Sequence, residues 1–285
     1  IATVTLKVTP ATLKVSTPSA SKEYDGTALT ADGSVEGLVN GEQVSFKTTG
    51  SQTDIGQSEN TYELKWDKTA KKSNYTVISS TGILRVTEFM GEVTVTTTGG
   101  TFTYDGKAHG ATVEVTGLPK GYTVEKATSN ATATNVTAKP VQAICNELVI
   151  KNPKGTDVTS QLKLKRVNGS ITINKATLTV TTPSASKEYD GEPLTKEGKV
   201  EGFVNGETAT FSTTGTQTSV GSSQNTYSLT WDKTAKAGNY SVSENLGTLT
   251  VTEYKGKIVA TVSNVTATYD GKAHGATVSV TGLPK

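Results

Sequence analysis

The chain carries one cysteine, Cys145, so no disulfide can form within it. Thiol use this sparse suits the cytosol and, equally, bacterial surface proteins that avoid thiols. Histidine is nearly as rare. His109 and His274 have only Asp105 and Asp270 as recurring acidic neighbours, and a metal or acid–base centre needs more convergent groups. An excess of one charge is missing too. The net charge is +2 over 285 residues, which leaves no basic face for nucleic acid and no acidic tail. No apolar run approaches the length of a membrane span. Hydrophobic residues make up only 33%. That suits small two-layer β domains rich in Thr and Ser, and the alternation of apolar positions argues against disorder.

What is present is repetition. Tyr24-Asp25-Gly26 returns as Tyr189-Asp190-Gly191, Trp66 as Trp231, and Tyr104-Asp105-Gly106 as Tyr269-Asp270-Gly271, all at one and the same spacing. The triplet occurs twice in that period, so the unit is about 80 to 85 residues, in the order A-B-A-B. Residues 1–9 read as the last strand of a preceding B repeat, because Leu6 and Val8 match Ile171 and Ile173. Residues 10–90 are then A1, 91–175 B1, 176–255 A2 and 256–285 the truncated start of B2, a window on a longer array. About 50 of 79 positions match between A1 and A2, whereas A and B share little beyond the triplet and the strand plan. Identical neighbours tend to exchange elements during folding, so alternation is expected to guard against swapping.

Thr, Val and Tyr dominate, with turn residues every eight to twelve positions, which is an all-β pattern. In A, Leu13-Val15, Val44-Phe46, Tyr62-Leu64-Trp66, Tyr75-Val77 and Leu84-Val86 are apolar at spacing two. In B, Val93-Val95, Val113-Val115, Leu162-Leu164 and Ile171-Ile173 follow the same rule. Each set should turn one face to a core and one to water. The expected count is about six strands per repeat, with a closing hairpin near Gly82 in A and at Asn168-Gly169 in B. The polar stretches 67–73 and 156–161 could each form one helical turn. Neither Gly/Ser runs nor Pro-rich stretches separate the repeats, so no floppy linker is encoded. A repeat one strand long would add roughly 30–45 Å to the array.

The triplet is followed in A by Gly37–Glu42 or Gly202–Glu207, then by Asn74-Tyr75 or Asn239-Tyr240, and then by a closing Gly-x-Leu-x-Val-Thr at Gly82–Thr87 and Gly247–Thr252. In B, Tyr-Asp-Gly-Lys-Ala-His-Gly leads to Thr-Gly-Leu-Pro-Lys. Together these motifs resemble the tandem extracellular repeats of bacterial surface proteins called MBG or YDG domains, over nearly the whole chain. The resemblance implies a secreted or wall-attached, adhesin-like protein built as a stalk. It leaves the fold open between a tandem Ig-like sandwich and a β-grasp-like sheet, and it supplies no catalytic residues.

Each candidate residue also has a plain reading. His109 and His274, with the triplet aspartates, read as turn structure, since one carboxylate per repeat falls far short of the ligands calcium needs. Trp66 and Trp231 could stack on a sugar, yet their spacing puts them on the apolar side. Cys145 reads as a buried, inert thiol in a strand. Leu283-Pro284-Lys285 is a turn and not a sorting signal, because Leu118-Pro119-Lys120 recurs mid-array. Sequons such as Asn74-Tyr75-Thr76 and Asn135-Val136-Thr137 matter only on a eukaryotic secretory path. A Lys14–Asn74 isopeptide is not expected, since Lys14 becomes Thr179 in the second copy.

The sequence therefore points away from an enzyme, with no catalytic, cofactor-binding or metal-binding residue assigned. The expected role is a structural stalk on a bacterial cell surface, wall-attached or secreted, with neighbouring repeats or fibre subunits as partners. A host protein or glycan would be engaged through another region. Multivalent repeats that bind such a ligand themselves are the alternative, and a fibre protomer is the third reading.

Overall fold

The structure is a computed structural model and describes residues 3–284. Ile1 and Ala2, at the start of the expected orphan strand, and Lys285, which ends the last Leu-Pro-Lys turn, lie outside the described residues. The fold is all-β, and no α-helix occurs among the described residues. The only helical pieces among them are 3-10 turns at Lys72–Asn74, Thr159–Gln161 and Ala237–Asn239.

Repeat A1 has eight strands: β1 (Ala11–Ser16), β2 (Ala20–Glu23), β3 (Ser34–Glu36), β4 (Ser45–Thr48), β5 (Gly56–Glu59), β6 (Tyr62–Lys65), β7 (Tyr75–Ser80) and β8 (Ile83–Thr87). One sheet has the order β3-β1-β7, a second β2-β8-β5, and β4 with β6 forms a ribbon. Both three-stranded sheets are mixed. β1 runs parallel to β7 from Ala11↔Tyr75 to Ser16↔Ser80, and β2 runs parallel to β8 from Ala20↔Leu84 to Glu23↔Thr87. The two ladders share one sequence offset, with no slip between them. β1–β2 and β7–β8 are therefore two side-by-side paths that cross together from one sheet to the other.

That crossing corrects the expected hairpin. β7 and β8 belong to different sheets, each paired to the first path. Gly82 is there for backbone proximity, since a Cβ would collide with the Pro18 carbonyl and the Ser19 nitrogen. The same correction holds in B1, where neither Asn168 nor Gly169 takes a positive φ; a Cβ at Gly169 would sit 2.5 Å from the Thr97 carbonyl oxygen. The strand count exceeds six because each crossing divides a long path into two strands.

A polar knot holds the crossing. Asn60 is fully buried. Its Nδ2 donates to the Pro18 and Ala31 carbonyls, both at 2.9 Å. Thr17 Oγ1 donates to the Asn60 carbonyl at 2.6 Å, and the Asn60 N–H donates to the Gly82 carbonyl at 2.8 Å. On either side of the knot lie Leu13, Val15, Leu84 and Val86, each at most 1% exposed, and burial of one such side chain is worth about 1.5–3 kcal/mol. Leu13, Ala70 and Tyr75 pack with Val44, Leu64 and Trp66 of the ribbon side. Val77, expected inward, is 38% exposed, because β7 is an outer strand whose first residue alone reaches this cluster. A2 repeats the plan. Ala176–Thr182 pairs in parallel with Tyr240–Leu246, and Ala185–Glu188 with residues of Thr248–Thr252, in the register of A1.

The described residues form two compact units. The first is residues 3–99, Ala111–Ala131 and Gln142–Ser170, and the second is Gly100–Gly110, Thr132–Val141 and residues 171–284. Residues of B1 contribute to both. In the first, β9 (Glu92–Thr98) pairs antiparallel with Thr112–Thr116 and parallel with Lys163–Val167, starting at Glu92↔Lys163. In the second, Gly100–Thr103 pairs in parallel with residues 171–174, starting at Gly100↔Ile171. These two ladders also share one offset, a longer one than in A. Residues 3–10 form no strand, and Val4, Leu6 and Val8 are at least 85% exposed.

Candidate functional site

The Tyr-Asp-Gly turns are the chemistry that recurs in every repeat. The glycine is left-handed in all four, with φ 78° at Gly26, 74° at Gly106, 85° at Gly191 and 73° at Gly271, a region glycine enters without strain. The aspartate closes the turn by accepting the N–H two residues on: Thr27 at 2.9 Å, Lys107 at 2.9 Å, Glu192 at 3.0 Å and Lys272 at 2.9 Å. In A the same carboxylate takes a lysine, Lys22 to Asp25 and Lys187 to Asp190, both at 2.7 Å. In B it takes a histidine, His109 Nε2 at 3.0 Å from Asp105 and His274 Nε2 at 2.8 Å from Asp270. All four carboxyls are held below the ordinary aspartate range. The main cause is the lysine for Asp25 and Asp190, and the backbone N–H for Asp105 and Asp270. The His109 ring stacks on Phe102 at 4.0 Å. No group of three metal-ligating side chains forms among the described residues.

The tyrosine of the triplet differs in surroundings from repeat to repeat. Tyr24 is 3% exposed and Tyr104 4%, whereas Tyr189 is 36% and Tyr269 94% exposed. Around the Tyr24 turn stand B1 residues: a Cβ at Gly26 would collide with Pro153, a Cβ at Gly121 would lie 2.8 Å from the Asp25 carbonyl oxygen, and Lys154 pairs with Asp54. The Tyr24 hydroxyl has no hydrogen-bond partner among the described residues. Burial, with Tyr24 nearby, pushes the Tyr122 phenol up. Phe89 joins the B1 cluster of Val93, Ile150 and Val158.

The Tyr104 turn meets A2 through polar groups. Tyr104 donates to Glu207 Oε1 at 2.5 Å, and Tyr240 donates to Glu207 Oε2 at 2.6 Å. The two rings meet edge-on at 5.5 Å. Asn239, 3% exposed, accepts the Val136 N–H at 3.0 Å and donates to Asn135 Oδ1 at 2.9 Å. Asn205 donates to the Gly106 carbonyl at 3.4 Å. Burial first and the Glu207 bond second raise both phenols, Tyr240 to about 12.

The tryptophans are half-buried, with Trp66 tilted against Tyr75 at 5.7 Å and Trp231 stacked on Tyr240 at 5.8 Å. Trp231 lines a groove of about 440 Å³ with Tyr227, Leu229 and Glu244. Cys145 is corrected: it lies in the loop between Val141–Ala143 and Glu147–Lys151, half-buried, with Sγ 3.3 Å from the Glu147 carbonyl. Lys14 stands opposite Ile78, on the fourth rung from the end of the ladder next to Asn74. Leu118 packs in the B1 cluster, and the chain turns after it through a Tyr122-to-Pro119 hydrogen bond of 3.2 Å.

Two groups escaped the sequence reading. Asn60 and Asn225 hold the crossings, and Glu207 unites two tyrosines. The available signal was their recurrence at the repeat spacing, Asn60 with Asn225 and Glu42 with Glu207, each beside a retained glycine or tyrosine.

Among solved structures, the chain is similar to the I9–I11 tandem from titin, at 11% identity and TM-score 0.24, covering 85% of this chain and all of that one. It is similar also to the N-terminal eight Ig domains of Down Syndrome Cell Adhesion Molecule, at 10% identity and TM-score 0.20, covering 88% of this chain and 44% of that one. No curated protein matches the sequence. Residues 178–250 match the family model described as MBG domain (YGX type), so the expected likeness to MBG-type repeats is found in the second A copy.

Proposed function

We propose that these repeats are spacer modules of a bacterial cell-surface adhesin, which hold a binding head away from the cell and carry load along the array. The observation that carries this reading is the parallel pairing of the first and last long paths in each A repeat. A pull on the two ends of A1 draws β1 and β8 apart along their own directions. The Ala11–Ser16/Tyr75–Ser80 ladder is then loaded in shear, all bonds at once, and so is the ladder of Ala20–Glu23 on β8. Resistance of this kind is a matter of unfolding rate, and forced unfolding is governed by that rate. The likeness of residues 178–250 to MBG domains supports an extracellular repeat role.

Single-molecule stretching of the chain tests it. The expected trace has sharp force peaks of similar height for A1 and A2, each releasing the length of one repeat. A smooth, low-force extension would sink the load-bearing role.

The second reading, repeats that themselves bind a glycan or host protein, draws on the Trp231–Tyr227 groove, since aromatic faces are common platforms for such ligands. A glycan and host-protein array probed with the chain separates the two. Binding that is lost in Trp231→Ala would favour the binder.

A further inference from the structure

We propose that the Asn-Gly-Glu turn and the Asn-Tyr step of an A repeat form a docking site for the Tyr-Asp-Gly turn of a B repeat, and that the A1 copy of these residues takes a B-type turn as the A2 copy does. It holds whether the repeats serve as spacers or as binders. The occupied copy defines the chemistry. In A2 the Glu207 carboxylate offers one oxygen to its own Tyr240 and the other to Tyr104 of B1. Asn205, left-handed at φ 52°, brings its side chain to the Gly106 carbonyl. Any side chain at Gly106 would strike it, since a Cβ there lies 2.6 Å from Asn205 Cβ. Asn239 closes the contact on Val136 and Asn135. The site thus selects a phenol, a glycine directly after the aspartate, and an accessible backbone N–H.

A1 has the same parts in the same state of readiness. Asn40 is left-handed at φ 51°, and Tyr75 donates to Glu42 Oε2 at 2.6 Å. Glu42 Oε1 receives no hydrogen bond among the described residues. The difference between the copies lies in cover. Asn74 is exposed where Asn239 is 3% exposed, and Val39 is 50% exposed where Val204 is half-buried. A carboxylate oxygen beside a fixed tyrosine, with no donor of its own, is what the second phenol takes up in A2.

The occupant is a B-type turn and not an A-type one. The Tyr24 turn sits against Pro153 and Gly121, with a hydroxyl that bonds to nothing described. Its aspartate is engaged by Lys22, where the B turn uses His109 stacked on Phe102. The two joints use different chemistry, so the A-B-A-B order is written into the contacts.

The test uses the full chain and a backbone-cyclised peptide of residues 101–109, whose sequence is Thr-Phe-Thr-Tyr-Asp-Gly-Lys-Ala-His. Because linked modules meet at millimolar effective concentration, binding in trans is expected at a Kd on the order of millimolar. Amide shifts should move at Val39, Asn40 and Asn74 and stay fixed at Val204, Asn205 and Asn239, whose site is filled. The peptide with Phe for Tyr should move neither set. In the chain itself, Tyr104→Phe and Glu207→Gln should each speed hydrogen exchange of the Val136 N–H by about tenfold, with core amides unchanged, while Glu42→Gln leaves Val136 as it was. Equal shifts at both sites, no shifts at millimolar peptide, or a Phe peptide that binds as well would each overturn the proposal. The peptide arm reads the unmodified chain, so a variant that fails to fold does not remove the test.

Discussion

Asn60 Nδ2 lies 2.9 Å from the Pro18 carbonyl oxygen, and its copy Asn225 lies 2.9 Å from that of Pro183. One amide side chain thus ties together the two paths at the point where both leave one sheet for the other. Its recurrence in both A copies, with the same second bond to Ala31 or Lys196, marks it as part of the design of the repeat.

Replacing Asn60 with Ala should destabilise A1 by about 1–3 kcal/mol, because two part-buried carbonyls lose their donor and the buried amide leaves a gap. Asn74→Ala, at an exposed position, should stay within about 0.5 kcal/mol. Urea unfolding curves for the two variants check the contrast. Equal midpoints would mean that the knot carries no weight.

Glycine at the crossing should be intolerant for lack of room. Gly247→Ala places a methyl against the Pro183 carbonyl and the Ser184 nitrogen and is expected to cost about 1–3 kcal/mol or more. Gly238→Ala meets nothing within 4 Å and needs no positive φ, so it should be neutral or slightly stabilising. Thermal melts of the pair separate close approach from loss of chain freedom.

Acid should loosen the turns. The carboxyls of Asp25, Asp105, Asp190 and Asp270 lie below the ordinary value of 3.8. Their folded forms are thus favoured when ionised. The stabilisation is complete above about pH 4 and drains away as pH falls through the depressed folded values. Asp25→Asn and Asp190→Asn together should flatten this acid-side loss in melts taken from about pH 5 down to about pH 2, and an unchanged slope would refute the assignment.

Alkali acts on the phenols in the opposite sense. The Tyr227 hydroxyl, bonded to Glu244, and the buried Tyr240 hydroxyl are both pushed up to about 12 from 10.0. A raised folded value means stabilisation that is full below about pH 10 and lost as pH climbs towards about 12. Ultraviolet titration should show these two phenols ionising late. Glu244→Gln should bring Tyr227 back toward the ordinary range while leaving Tyr240 in place.

Much of the fold was legible because alternation at spacing two follows directly from the pleat. Leu13-Val15, Leu84-Val86, Val93-Val95 and Ile171-Ile173 are all buried as that rule requires. Pairing partners were not legible. Local turn chemistry suggested that Asn168-Gly169 closes a hairpin, yet parallel partners from the start of the same repeat captured those strands instead. Alternation identifies the inward face of a strand and says nothing about its neighbour. The joint residues were hidden for a related reason. Glu207 is an ordinary surface residue by type, and only the arrival of Tyr104 from another repeat makes it a shared acceptor.

Because each long path belongs to both sheets of its repeat, neither sheet can open while the other stays closed. Melting one end of the pair strips partners from the other, so an A repeat should come apart in a single cooperative event, with no half-folded species accumulating for proteases to find.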